Sequence, residues 1–186
     1  MAADRNAPVS FDKAKAPEGL CVARGLEACR GMLSWLYLGV AASTVGALFA
    51  AYEILKEWGD NRVIKGKGQT FKNNPLTSSV MAEVAREISV SRMLTCDLGR
   101  VLSEPGIYGP AGEEGNFVLA EMVANTVTLS AEKAIGGAME MMASAGYATE
   151  WNLERYWRDT KTLQVCLGPY ELAKMLSLIH ISEPTR

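Results

Sequence analysis

The chain has 186 residues, 48% of them hydrophobic and 22% charged, which is enough for one domain with a sizeable core and too apolar for a disordered segment. A net charge of −2 and a pI near 5.6 leave out the basic field that nucleic acid or an anionic membrane surface selects. Cys21, Cys29, Cys96 and Cys166 are widely spaced, with no C-x-x-C pair and a single histidine, so neither a zinc site nor a disulfide scaffold is indicated and reduced, cytoplasmic thiols are expected.

The opening stretch, MAADRNAPVSFDKAKAPEG, carries neither the apolar core of a secretory signal nor an arginine-rich amphipathic pattern. VSF, followed by a lysine-bearing run and Pro17-Glu18-Gly19, reads as the end of a strand that leads through a turn into helical sequence. Residues 31–52, GMLSWLYLGVAASTVGALFAAY, then give 22 positions without a charge. At 1.5 Å per residue such a run can cross a bilayer core of about 30 Å. Its richness in Gly, Ala, Ser and Thr, and the absence of a Lys/Arg bias beside Arg30 and Glu53, favour instead a bundle helix enclosed on all sides by other helices. A single-pass membrane helix is the alternative.

In SSVMAEVAREISVSRMLTCDLGRVLSEPG, Met81, Val84, Ala85, Ile88, Met93, Leu94, Leu98, Val101 and Leu102 recur at helical steps, and Pro105-Gly106 closes the run. A third long helix is predicted from about Phe117 to Ala145, with Asn116 as N-cap and Gly146 as its stop. Shorter helices are expected around TEWNLERYW, starting at Thr149, and at GPYELAKM, with Pro169 in the first turn. The expected class is all-α, an antiparallel helical bundle. Met139, Met141 and Met142 are read as core rather than as a soft metal site. GKGQTFKNN, with Lys65, Lys67 and Lys72, is read as a solvated loop, because it lacks the order of a phosphate-binding loop.

The stretch MASAGYATEWNLERYWRDTKTLQVCLG resembles the C-terminal helical domain of the acyl-CoA dehydrogenases. Members carry a G-G-x-G-[YF] turn, an acidic residue, and a pattern like E-R-x-x-R-D. Here these are Ala143-Ser144-Ala145-Gly146-Tyr147, then Glu150, then Glu154-Arg155 and Arg158-Asp159. VAASTVGALFAAYEIL is similar to the first helix of that domain and MAEVAREISVSRML to its second, so the resemblance covers residues 9–175. It implies a remnant of a middle β-domain and linker over residues 1–20 and a helical bundle over 21–175. The membrane alternative recedes with it.

The resemblance further implies removal of hydrogen from Cα and Cβ of an acyl-CoA thioester, with FAD accepting hydride, electron-transfer flavoprotein reoxidising it, and a homo-oligomeric parent. Arg62 matches an arginine that reaches the FAD pyrophosphate of a neighbouring subunit. Glu140 falls where a glutamine touches FAD, and Ala143 and Ser144 fall where two glycines run along the dinucleotide. The base of many members is a glutamate in the loop after R-D; here Cys166, Leu167 and Gly168 stand there, and leucine accepts no proton. The position used by other members falls near Leu36 and Tyr37. Together these five residues are the expected substrate wall, Glu171 is expected at a helix end, and the base is expected outside this stretch. A noncatalytic or non-oxidising subunit is the alternative reading, and the stretch by itself is expected to be inactive.

Residues 176–186, LSLIHISEPTR, hold His180, the only histidine. Read back into codons, they resemble a transposase adaptor used in preparing sequencing libraries. This tail is expected to be an appended artefact, with native sequence ending at Met175.

Overall fold

The computed structural model describes residues 10–15, 17, 19 and 25–166. Val9, Leu167, Gly168, Pro169, Glu171 and His180 lie outside the described residues, as does the helix expected at GPYELAKM. Among the described residues five α-helices follow in order: α1 (Leu26–Asn61), α2 (Pro75–Ser103), the single turn α3 (Pro105–Tyr108), α4 (Glu114–Met142) and α5 (Leu153–Val165). Among the described residues the only β pairing is an isolated bridge between Val63 and Thr70.

The chain runs up, down, up and down through α1, α2, α4 and α5. One core joins Leu55 and Trp58 near the end of α1 to Met81 and Val84 near the start of α2, Met139 and Met142 at the end of α4 and Leu153 at the start of α5. A second core, at the opposite end, joins Tyr37, Leu98, Leu102, Ala120 and Val127, with Leu163 packed against it. Helix α2 buries Met81, Val84, Ile88, Ser91, Thr95, Leu98 and Leu102 at alternating three- and four-residue steps, the periodicity expected of an amphipathic helix. Its entry is set by Pro75 in the first turn and by Asn74, whose side chain accepts the Leu76 N–H at 2.9 Å. Met93, expected on the apolar stripe, is exposed, because residue 93 falls between the buried positions 91 and 95.

Helix α1 is only partly enclosed, which corrects the expectation of a helix covered on every side. Val40, Ala41, Leu48, Ala51 and Leu55 face the bundle, whereas Met32, Trp35, Leu36 and Phe49 are exposed. The more enclosed helix is α4, with twelve of its 29 residues buried against ten of 36 in α1. Alanines 41, 51, 120, 124, 131 and 138, each at most 3% exposed, let the helix axes approach closely. Buried hydroxyls within the helices are satisfied locally, as where Thr44 donates to the Val40 carbonyl and Thr95 to that of Ser91.

Three boundaries also differ from expectation, the first being that the helix expected from Thr149 begins at Leu153. Helix α4 begins at Glu114, so Asn116 lies inside its first turn; its Nδ2 donates to the carbonyls of Tyr108 and Pro110 and holds the preceding loop. The helix ends at Met142, and Gly146 lies within a 3-10 segment, Ala143–Tyr147. A Cβ at Gly146 would stand 2.8 Å from Met139 Cα, so this turn packs against α4 only with glycine there. At the other end, Ser34 Oγ donates to the Ala111 carbonyl at 2.8 Å, and Gly112 lies against the Glu27 main chain. The connection before α4 is thereby fixed to the start of α1. Met139 and Met142 are buried in the core, with Met141 packed beside them.

Candidate functional sites at the two ends of the bundle

The first end gathers four residues singled out in the sequence. Arg62 caps α1 through its backbone N–H to the Trp58 carbonyl, and its side chain is exposed and forms no ion pair among the described residues. Behind it the chain folds back on itself: Phe71 N–H donates to the Arg62 carbonyl at 2.8 Å, and the Trp58 and Phe71 rings meet edge to face at 4.6 Å. Lys65 and Lys67 are exposed on this turn, and Lys72 is engaged by Asp60 at 2.9 Å. Because Trp58 shares a core with Met139 and Met142, Arg62 lies at the same end of the bundle as Glu140, Ala143 and Ser144, all three exposed.

A cleft of about 470 Å³ opens there between α4 and α5, lined by Gly136, Met139, Glu140, Tyr147, Trp157 and Arg158, with Glu132 and Glu154. Glu154 is buried; Arg158 donates to its Oε1 at 3.2 Å, and its Oε2 has no partner among the described residues. Lys161 lies 3.6 Å from Glu132. The cleft therefore combines two aromatic side chains, Tyr147 and Trp157, with carboxylates from both helices, Glu132 and Glu140 on α4 and Glu154 on α5. Ala143 holds φ +51°, a left-handed conformation that glycine adopts freely and alanine only with strain. That strain falls on the position where the resembled turn carries glycine.

The second end contains a group the sequence reading passed over. Tyr37 on α1 is buried, and its hydroxyl donates to Glu121 Oε1 on α4 at 3.3 Å. Glu121 is 6% exposed, and its Oε2 has no hydrogen-bond partner among the described residues. Burial pushes this carboxyl above its ordinary range, while the Tyr37 hydrogen bond pulls partly back. Tyr37 in turn is pushed up to about 12, by burial first and then by the Glu121 charge. Cys166 also raises it, so that thiol, exposed in the turn after α5, lies close enough to be felt by Tyr37. Burial raises Cys166 itself. The Phe117 ring meets Tyr37 edge on at 6.0 Å and helps fix it.

Of the expected substrate wall, then, Tyr37 and Cys166 are brought together, and Leu36 points outward at 49% exposure. A signal for Glu121 was present: it is the only charge between Gly115 and Ala131, in helical phase with Phe117, Ala124 and Thr128.

An all-α bundle of this connectivity is the fold of the C-terminal domain of acyl-CoA dehydrogenases. Butyryl-CoA dehydrogenase from Megasphaera elsdenii superposes with a TM-score of 0.71 at 22% identity, over 85% of this chain and 39% of that one. An acyl-CoA dehydrogenase from Geobacillus kaustophilus gives 0.66 at 20% identity, over 84% of this chain and 37% of that one. A chain from a structure of the electron transferring flavoprotein of Acidaminococcus fermentans gives 0.66 at 20%, over 84% and 37%. The chain thus spans about two fifths of the length of these structures. Residues 23–180 match the model of the acyl-CoA dehydrogenase C-terminal domain, and the chain belongs to that family.

Proposed function

We propose that the chain is part of an FAD-dependent acyl-CoA dehydrogenase acting on the Cα–Cβ bond of a CoA thioester. The observation that carries this reading is the family match across residues 23–180. The fit to the flavin is uneven at the level of side chains. Arg62, exposed and unpaired among the described residues, suits paired phosphate oxygens, and the exposed main chain at Ala143 and Ser144 can run beside a dinucleotide. Glu140 does not suit phosphate, since it adds a carboxylate to a cleft already holding Glu132 and Glu154. It suits a neutral hydroxyl or amino donor, so Arg62 and Ser144 are the residues assigned to the phosphates and Glu140 is placed away from them. FAD, when bound, supplies the hydride acceptor.

Electron-transfer flavoprotein as the reoxidant, a homo-oligomeric parent and a cytoplasmic setting belong to the same reading. The exposed apolar residues Met32, Trp35 and Phe49 on α1 support an oligomer, and the free thiols of Cys29, Cys96 and Cys166 support a reducing compartment. A second reading, a subunit that keeps the scaffold without oxidising, is favoured by Leu167 at the loop position where many members carry the base. Anaerobic titration of the full-length flavoprotein with a panel of acyl-CoA thioesters separates the two. The dehydrogenase reading predicts bleaching of flavin absorbance by at least one thioester; bound flavin that none of them bleaches supports the non-oxidising subunit.

A further inference from the structure

We propose that the bundle carries a built-in break at its middle, a layer of buried hydroxyls across which the end bearing Arg62 and the end bearing Tyr37 loosen separately. The proposal concerns the mechanics of this domain and stands whichever reaction the whole protein performs.

The layer is defined by where the two cores stop. In α1 the core at the Tyr37 end reaches Ala41 and the other begins at Leu48; Thr44, fully buried, lies between them. In α2 the buried Ser91 and Thr95 lie between Ile88 of one core and Leu98 of the other. In α4 Thr128 lies between Val127 and Ala131, and in α5 Thr160 lies between Trp157, packed on the first core, and Leu163, packed on the second. All four helices that run the length of the bundle thus place a hydroxyl inside at one level. No buried apolar side chain is shared by the two cores among the described residues.

Three further observations make this level weak. The first is where its hydrogen bonds go. Thr44 donates to the Val40 carbonyl, Thr95 to that of Ser91 and Thr128 to that of Ala124, each within its own helix, so these bonds tie no helix to another. Thr160 Oγ1 is buried with no partner among the described residues, which destabilises the packed state further. The second is local sequence. ASTVG (42–46), SVS (89–91), NTVTLS (125–130) and TKT (160–162) all fall at this level. β-Branched and hydroxyl side chains are poor helix formers, because they lose rotamer freedom and compete for the backbone. The turns beside them, YEILKE (52–57) in α1 and AEKA (131–134) in α4, hold much stronger helix formers. The third is that each end has its own ties. Tyr37 to Glu121 and Ser34 to the Ala111 carbonyl close one end; the Trp58 and Phe71 rings and the Lys72–Asp60 pair close the other.

A local opening that starts at either end therefore runs along the helices to the hydroxyl layer and stops there, since little packing energy passes through it. Each end can loosen around what it holds while the other stays packed.

The test is amide hydrogen exchange of the full-length protein, read peptide by peptide by mass spectrometry under conditions where exchange reports the opening equilibrium. Leu55→Ala wounds the Arg62 end alone. Exchange over residues 81–88 and 131–142 should quicken at least about tenfold, and exchange over 98–103 and 114–127 by less than about threefold. Leu98→Ala should give the reverse pattern. Should Leu55→Ala fail to fold, Ile135→Val makes a milder lesion in the same core and should quicken the first set about threefold with the second unmoved. Both sets quickening by the same factor would show a single cooperative unit and overturn the proposal. The layer itself is tested by Thr128→Val combined with Thr160→Val, which puts apolar groups of similar size where the packing is interrupted. In that background the effect of the lesion should spread to residues 114–127. Ends that still respond separately would overturn the hydroxyl layer as the break.

Discussion

The two ends of the bundle use polarity in opposite ways. Near Arg62 and Glu140 the interior is built on Leu48, Leu55, Ile135, Met142 and Leu153, and the buried carboxylate, Glu154, lies at an open cleft where Arg158 meets it. Near Tyr37 the interior joins Leu98, Leu102 and Val127 to Ala41, Ala120 and Ala124, and the buried carboxylate, Glu121, is met by the Tyr37 hydroxyl with no cation beside it among the described residues. Charge left on a surface costs little to keep. A carboxyl taken inside without a cation beside it has its pKa raised, as at Glu121. The first end thus opens its carboxylates to a cleft, and the second keeps its carboxylate sealed between α1 and α4.

The largest expected effect breaks the apolar end. Leu55→Ala removes a fully buried side chain from a tightly packed core and should cost about 2–5 kcal/mol of unfolding free energy in urea melts. The opposite kind of change probes the Tyr37 end: Ala124→Leu forces extra volume between close helices and should cost about 1–3 kcal/mol. Ala143→Gly relieves the left-handed strain and should raise stability by about 1 kcal/mol, visible as a higher melting temperature. Arg62→Ala should change stability by less than about 0.5 kcal/mol, because its side chain is exposed and unpaired among the described residues. The same variant should weaken flavin binding in the full-length protein about tenfold or more, measured by flavin release on dilution.

Much of this contrast could be read from the sequence, and the unread part has physical causes. The three- and four-residue steps of α2 gave both its existence and its inward face, because charges between the apolar positions mark the phase. In residues 31–52 no charge marks a phase, so the run looked enclosed, whereas Trp35, Leu36 and Phe49 point out of this chain's bundle. Asn116 resembled an N-cap, but its amide is spent on the carbonyls of the loop before α4, a tertiary use that residue type does not reveal. At the candidate sites, motif spacing led to Arg62, Glu140 and Tyr37, since those positions resemble a known pattern. Glu121 belongs to no motif. Its partner Tyr37 is remote in sequence, and only the packing of α1 on α4 brings the hydroxyl to the carboxylate.

The contrast is tested most directly by the stability of the wild-type chain and of Glu121→Gln between pH 4 and pH 8. A carboxyl whose native pKa is raised holds its proton in the folded state after the unfolded state has lost it, so the contribution of Glu121 to wild-type stability falls as pH rises through that interval. The neighbouring titratable groups do not confuse the reading, because Tyr37 and Cys166 are both raised and stay neutral over this range. The two proteins should be close in stability near pH 4, and the glutamine variant should gain steadily above it. A difference that is flat with pH, or one that grows in favour of the wild type, would contradict a buried carboxyl at the Tyr37 end.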